Sequence, residues 1–356
     1  MLWLRKRQNE KLKQTSGDNA GYGVRSRSSP EEMEKAQTLP NFDKHPTAVD
    51  AVYFNGGNEL GYYFVAATAR RQNNIVQTIL YLRTPDLGLL EKTTMPDTRL
   101  SGTGKEEFAA EGLRLEPVEP MKKWRLLFKG KMRICRTKEE VDVDFDLIWT
   151  AFTNYFDFDT DMNPETMADA ICRQKWSREY FDTLKSAHQT HYEQFGEITG
   201  IVKISGHNDV TIKVQGVRDH SYGNHRDWKD LHRYGIQYCT LDDKTAICVG
   251  AISMPITLSR LHMGYVLCNG KVESVSYTDF ELHNHGEDGK PPRELVINFK
   301  AGGKSYNMKC KVEDMGVFYI GEGRDAKIYE RFCRYEVNGV PGWGISEWDY
   351  RYNLYC

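Results

Sequence analysis

From about residue 48 onward, apolar and polar residues alternate with a period of two along most of the chain. That is the pattern of strands with two unlike faces. AVYFNGGNELGYYFVAAT (51–68) reads as strand, Gly-rich turn and strand, and NNIVQTILYL (73–82) as a further strand. KWRLLFKGKMRICR and VDVDFDLIWTAFT form the next pair, with Val141, Val143, Phe145 and Leu147 on one side. The second half gives the cleanest hairpins. ITGIVKIS and VTIKVQG surround Gly206-His207-Asn208-Asp209, while HMGYVLC and KVESVSYTDFEL flank Asn269-Gly270, the strongest short hairpin signal. LVINFK and SYNMKCKVE flank Ala301-Gly302-Gly303, and KIYERFCRYEV runs through Asn338-Gly339 into GWGISEWDYR. The fold class expected is mostly β: two packed antiparallel barrel or sandwich halves.

One stretch breaks the alternation. Between about 164 and 194 the residues are good helix formers without turn signals, and Trp176, Tyr180, Leu184 and Ala187 form an apolar stripe at helical spacing. Ser177 suits a helix start, so one or two helices ending near Gly196 are predicted as a linker. Residues 1–47 read as a flexible polar leader, with one helical turn after Ser29-Pro30. The resulting division is a leader at 1–47, an N-terminal β half at 48–196 including the helical linker, and a C-terminal β half at 197–356.

Charge narrows the partners. The 48 Lys and Arg against 50 Asp and Glu leave a formal net charge of -2, so no basic excess draws the chain to nucleic acid. No apolar run of about 18 residues is present to span a bilayer as a helix. Leu2-Trp3-Leu4 followed by Arg5-Lys6-Arg7 reads as a solvated basic tail or as the edge of a membrane anchor missing from this chain. The eight cysteines contain no CxxC spacing, and several lie in apolar strands. Reduced buried thiols in an intracellular protein, cytoplasmic or on the cytoplasmic face of a membrane, are the expectation.

Nucleotide, zincin and serine-hydrolase motifs are absent from the sequence. The pairs His188/His191 and His283/His285 are weak metal candidates, and Asp157-Phe158-Asp159-Thr160-Asp161 lacks the rest of a calcium loop, so it reads as a solvated connection. No metal site and no cofactor are predicted. Chemistry concentrates in GVRDHSYGNHRDW (216–228). Along a strand, Arg218, His220 and Tyr222 share one face and Asp219 and Ser221 the other. If His220 points into an apolar cavity, its imidazole is placed for acid–base work. The alternative is a buried Arg/Asp/His network that ties a barrel corner together.

This stretch resembles the G-x-RDHSWG-x-RDW signature of a lipocalin-like superfamily that includes carotenoid 1,2-hydratase (hydroxyneurosporene synthase) and fungal Diels–Alderases. EPMKKWRLLFKGKMR, HYEQFGEITGIVKI and GVPGWGISEWDYR fit the same pattern. The resemblance is closest to uncharacterised animal members called phosphoenolpyruvate synthase-like. It implies two lipocalin-like β halves, a family histidine at His220, an acid at Asp219, an arginine at Arg218 and a C-terminal glutamate at Glu347. Tyr222 stands where the family has Trp.

The implied function is binding of a small hydrophobic molecule (polyene, terpenoid or polyketide-like) with cofactor-free hydration, isomerisation or cyclisation. His220, oriented by Asp219, would be the acid–base group and Tyr222 a proton donor or ring contact. Ser221 and Trp228 would support the ligand, and Arg218 and Glu347 would form a supporting ion pair. The alternative is a carrier, or an accessory domain of a larger phosphoenolpyruvate synthase-like polypeptide.

Overall fold

The computed structural model describes residues 28–102, 107–242 and 245–352. The Leu2–Arg7 segment lies outside them. Strands β1 (Val49–Gly57), β2 (Tyr63–Arg70), β3 (Ile75–Thr84) and β4 (Gly88–Lys92) form a meander. Short β5 (Arg99–Ser101) pairs with β3, and β6 (Phe108–Ala110) pairs with β7 (Leu113–Glu119), which pairs in turn with β8 (Lys123–Ile134). After β9 (Glu140–Ala151) and the two-residue β10 (Phe156–Asp157) come the long β11 (Thr190–Ile204) and β12 (Val210–Gly223). The pairings β1–β2–β3–β4–β8–β9–β11–β12–β1 close on themselves, so the first half is an eight-stranded ring.

The second ring holds β13 (Arg233–Leu241), β14 (Ala246–Met254), β15 (Leu258–Cys268) and β16 (Lys271–Thr278). It continues with β17 (Glu294–Ala301), β18 (Lys304–Ile320), β19 (Ala326–Val337) and β20 (Val340–Arg351), and β20 pairs back onto β13. The mostly β, two-barrel expectation holds, and the Asn-Gly turns fall where predicted, between β15 and β16 and between β19 and β20. Closing both rings removes the edges that an open sheet would expose. No helix among the described residues is long and apolar enough to cross a membrane.

Two boundaries move. β11 and β12 belong to the first barrel, so the second barrel begins at Arg233 rather than near 197, and the RDHSYG signature lies in the first. The cause is pairing: β12 has its long neighbours in β1 and β11, none in the second ring. The linker is two nine-residue helices, α2 (Pro164–Cys172) and α3 (Arg178–Ser186), where α1 denotes Pro30–Glu34. Asn163 and Ser177 cap α2 and α3, and β11 already starts at Thr190. His188 and His191 therefore do not share a helix face; they bond Asp159 and Glu193 respectively. His283 lies in a short 3-10 turn with His285 just beyond it, not on a strand. Asp157 and Asp159 are buried, unlike a solvated connection.

Each barrel wall separates two interiors. Val52, Phe54, Phe64, Leu80, Trp124 and Trp149 fill the first barrel; Val249, Ile297, Phe299, Cys333 and Trp348 fill the second. A third core lies between them, built from Tyr53, Tyr63, Tyr81, Tyr238 and Phe332. Tyr63 donates to Cys333 O at 2.9 Å across the junction. Tyr81 seats against Gly316, where a Cβ would come within 2.4 Å of its ring. Cys248, Cys310 and Cys333 are buried reduced thiols.

Residues 28–47, expected to be part of a flexible leader, close the first barrel. Ser29 accepts from Glu32 N at 3.3 Å to start α1, as its Ser-Pro sequence predicts. The helix then drives Glu34, 1% exposed, into the barrel end. There Glu34 Oε1 meets Arg218 Nη1 at 2.7 Å, and Oε2 accepts from Trp124 Nε1 at 2.7 Å. The Arg218 guanidinium also lies over the Trp124, Trp149 and Tyr192 rings. Removing the carboxylate would leave a fully buried arginine without its counter-charge. Glu34→Ala is predicted to cost roughly 3 kcal/mol or more of folding stability, read as a lower urea midpoint with an unchanged m-value. An unchanged midpoint would refute the plug.

Candidate functional site

Strand β12 decides which signature residues can meet a ligand. Ile212 and Val214 point into the first barrel, so the two-residue period carries Gly216, Arg218 and His220 inward as well. At Gly216 the strands leave no room, since a Cβ would sit 2.3 Å from Asn55 O. Asp219 and Ser221 face the other way, onto a cavity of about 270 Å³ between the barrels.

His220 is fully buried away from that cavity. Its Nε2 pairs with Asp50 Oδ1 at 2.7 Å and its Nδ1 with the Tyr192 hydroxyl at 2.9 Å. Asp50 is held in turn by Arg70 at 2.5 Å and by the Gln37 N–H at 2.7 Å. Both ring nitrogens are thus occupied, and Asp219 orients neither; the expected Asp219–His220 pair does not form. Tyr222 lies beside His220 with ring centroids 5.1 Å apart and planes tilted by 57°, and burial pushes its phenol up to about 12. The Arg218–Glu347 ion pair does not form either: Arg218 pairs with Glu34 inside barrel one, while Glu347 takes a hydrogen bond from Tyr234. Of the signature-derived candidates, Asp219, Ser221, Trp228 and Glu347 line the cavity; Arg218, His220 and Tyr222 do not.

Strand register assembles the site from two facing rows. In the first barrel Tyr53, Asp219 and Glu193 lie side by side across β1, β12 and β11. In the second, Ile236, Glu347 and Glu330 lie side by side across β13, β20 and β19. Tyrosines cross between the rows. Tyr53 donates to Glu330 Oε2 at 3.1 Å, and Tyr238 donates to Glu193 Oε1 at 3.2 Å. Four carboxyl groups therefore converge where two apolar walls meet. Alanines 51, 67 and 69, with Ile79, Ile252 and Phe318, supply most of the remaining lining.

The electrostatics follow from burial. Desolvation raises the Asp219 carboxyl from 3.8 to about 6, against the opposing pull of His191 and Arg226. Desolvation, with Asp219 and Glu193 nearby, raises Glu347 from 4.5 to about 7, despite the Tyr234 hydrogen bond. Glu330 goes up further, through burial and the charge of Glu347 opposite. Burial pulls the His191 imidazole down, but the Glu193 hydrogen bond and the charge of Asp219 outweigh it, and the net shift is upward. Arg226 completes the rim, donating to Gln189 Oε1 at 2.7 Å and Ser221 Oγ at 2.8 Å. Among the described residues no group of three or more His, Cys, Asp and Glu is arranged to hold a metal ion.

Sequence reasoning missed Glu330, Glu193, Tyr53, Tyr234 and Arg226. Glu330 carried no signal beyond an acid in the apolar run KIYERFC. Arg226 was inside the signature, but nothing marked it off from Arg218.

Because both acids hold protons more tightly folded than unfolded, their contribution to stability is full at low pH. It is lost as pH rises, through about 6 for Asp219 and about 7 for Glu347. In Glu347→Gln the fall in melting temperature between pH 4.5 and 7.5 should shrink by a few degrees relative to the parent protein. Parallel pH curves for the two would show that Glu347 is not held neutral.

In comparisons with known proteins, no curated protein matches the chain in sequence. Several solved structures share its architecture, two of them as follows. A protein designated AttH from Nitrosomonas europaea is 12% identical, with 87% of this chain and 96% of that one covered, at a TM-score of 0.57. Kievitone hydratase from Nectria haematococca is 11% identical, with 91% of this chain and 98% of that one covered, at a TM-score of 0.52. At such identity the likeness is one of fold, and it is the lipocalin-like fold that the signature implied. The sequence profile of a family of unknown function, DUF8627, matches residues 2–350, and the chain belongs to that family.

Proposed function

We propose that the protein binds a small hydrophobic molecule between its barrels and moves a proton on it without a cofactor, in a hydration, dehydration, isomerisation or cyclisation. The observation that carries this reading is the pair Asp219 and Glu347, presented from opposite barrels to one largely apolar cavity. Their proton affinities straddle the range just below neutrality, which suits one acid and one base in the same site. In a hydration, neutral Glu347 gives its proton to an alkene carbon while the Asp219 carboxylate takes one from the attacking water. The two protons balance, and return of the proton from Asp219 to Glu347 resets the site. Kievitone hydratase is, by its name, a hydratase on the same fold, in keeping with this reading.

Size sharpens the ligand. At about 270 Å³ the cavity lies near the lower bound for ligand pockets, which favours a compact compound over a long polyene. His220, with no face on the cavity, acts as a positioning residue that fixes β12, so that Asp219 stays aimed outward.

The test is to incubate purified protein with a hydrophobic cell extract in H₂¹⁸O and follow retained and converted molecules by mass spectrometry. A labelled water adduct, or a product of unchanged mass, should form with the parent protein and fall at least a hundredfold in Asp219→Asn and Glu347→Gln. A ligand retained unchanged by all three forms would replace this reading with the carrier alternative. Retention of nothing would sink both.

A further inference from the structure

Three buried acids of the second barrel, on its side toward the first, lack any counter-charge. Glu330, Glu347 and Asp349 occupy one face of β19 and β20, and among the described residues none forms an ion pair with Lys or Arg. Glu330 is 1% exposed, lines the cavity, and has one oxygen, Oε1, with no hydrogen-bond partner. Asp349, buried behind Glu347, has no partner at either oxygen. The cations of the cavity stand on the first-barrel side and are engaged there: Arg226 with Gln189 and Ser221, His191 with Glu193. Tyr53 and Tyr234 have spent their hydroxyls on Glu330 and Glu347, and together with Trp228 they line the cavity with ring surface.

We propose that the molecule this cavity takes is a hydrophobic amine, held as its ammonium cation by Glu330 and Glu347 and by the rings of Tyr53, Tyr234 and Trp228. The inference rests on the reading of the cavity as a ligand site and adds the ligand's charge. A carboxylate in an apolar void is costly unless paired; an ammonium group supplies the pairing, and facing aromatic rings add cation–π attraction once water is excluded. Inside the first barrel the fold provides arginines for its buried carboxylates, Arg218 for Glu34 and Arg70 for Asp50. Between the barrels it provides none for Glu330 and Glu347. In the proposed reaction the ammonium pairs first with Glu330, which leaves Asp219 and the Glu347 proton for chemistry.

Calorimetry with 2-(2-naphthyl)ethylamine and 2-(2-naphthyl)ethanol, matched in shape and differing in charge, tests this directly. Titrations at pH 6 in buffers of different ionisation heat count the protons released. The amine should bind at least about tenfold more tightly than the alcohol, releasing roughly one proton per ligand as a neutral acid ionises. In Glu330→Gln the ratio of the two affinities should fall toward one. Equal or tighter binding of the alcohol, or amine binding without proton release, would overturn the proposal while leaving the cavity reading intact. Binding of neither compound would count against both. The comparison on the parent protein stands even if the variant fails to fold.

Discussion

β12 is pressed between two buried interiors, the filled first barrel on one side and the inter-barrel cavity on the other. A strand's side chains have only two directions to take, so each residue in Arg218–Ser221 is committed to one interior by its parity. A slip of one residue would exchange the two sets, placing Arg218 and His220 in the cavity and Asp219 among the Trp124 and Trp149 rings. The inward network resists this slip. Arg218 must reach Glu34 and His220 must reach Asp50, and neither bond survives a shift of register. The aim of Asp219 is therefore set by residues on the opposite face of its own strand.

The two polar clusters on either side of β12 obey different rules. Within the first barrel, Glu34 and Asp50 are met by Arg218 and Arg70, and Trp124 and Tyr192 add hydrogen bonds to Glu34. Such a balanced network costs much to break and little to keep. Between the barrels, carboxyl groups face one another and burial favours their protonated forms. A site left in that condition is less stable than an apolar filling of equal volume would be. Uncompensated burial of titratable groups beside a cavity marks chemistry or binding, whereas balanced burial marks architecture. The RDHS run contributes to both clusters, and only the faces tell its residues apart.

Much of the fold was open to reading from the chain. Asn269-Gly270 and Asn338-Gly339 announce their hairpins, since both turn residues tolerate positive φ, as Asn269 at 52° and Gly270 at 73° do. The alternation of Val141, Val143, Phe145 and Leu147 names an inward face, and all four are buried. For β12 the alternation gave the right grouping of side chains but not the right destination. Polarity could not choose, because both faces are buried. Glu34 in PEEMEK has the look of a solvated helical turn, and its burial depends on Arg218, 184 positions away in the chain. Glu330 gains its meaning only from Glu347 across the β19–β20 register and from Tyr53 in the other barrel. Local pattern carries no trace of partners brought in by closure of a barrel.

The segment before β1 thereby has a larger part than that of a leader. Its Thr47 carbonyl accepts from Arg226 N at 2.9 Å and from Arg71 Nη1 at 3.0 Å, and its hydroxyl meets His225 Nδ1 at 2.9 Å. Arg71 also reaches the Arg226 carbonyl at 3.0 Å. These bonds fix the loop from His225 to Leu231, which contributes Arg226 and Trp228 to the cavity lining. A few residues upstream, Gln37 and Glu34 lock onto Asp50 and Arg218. One stretch of chain thus closes the first barrel and also holds the rim of the cavity, and loop residues that would otherwise be free to move are tied to a buried charge network. Preorganisation of that kind keeps a small site in one geometry without relying on the ligand to order it.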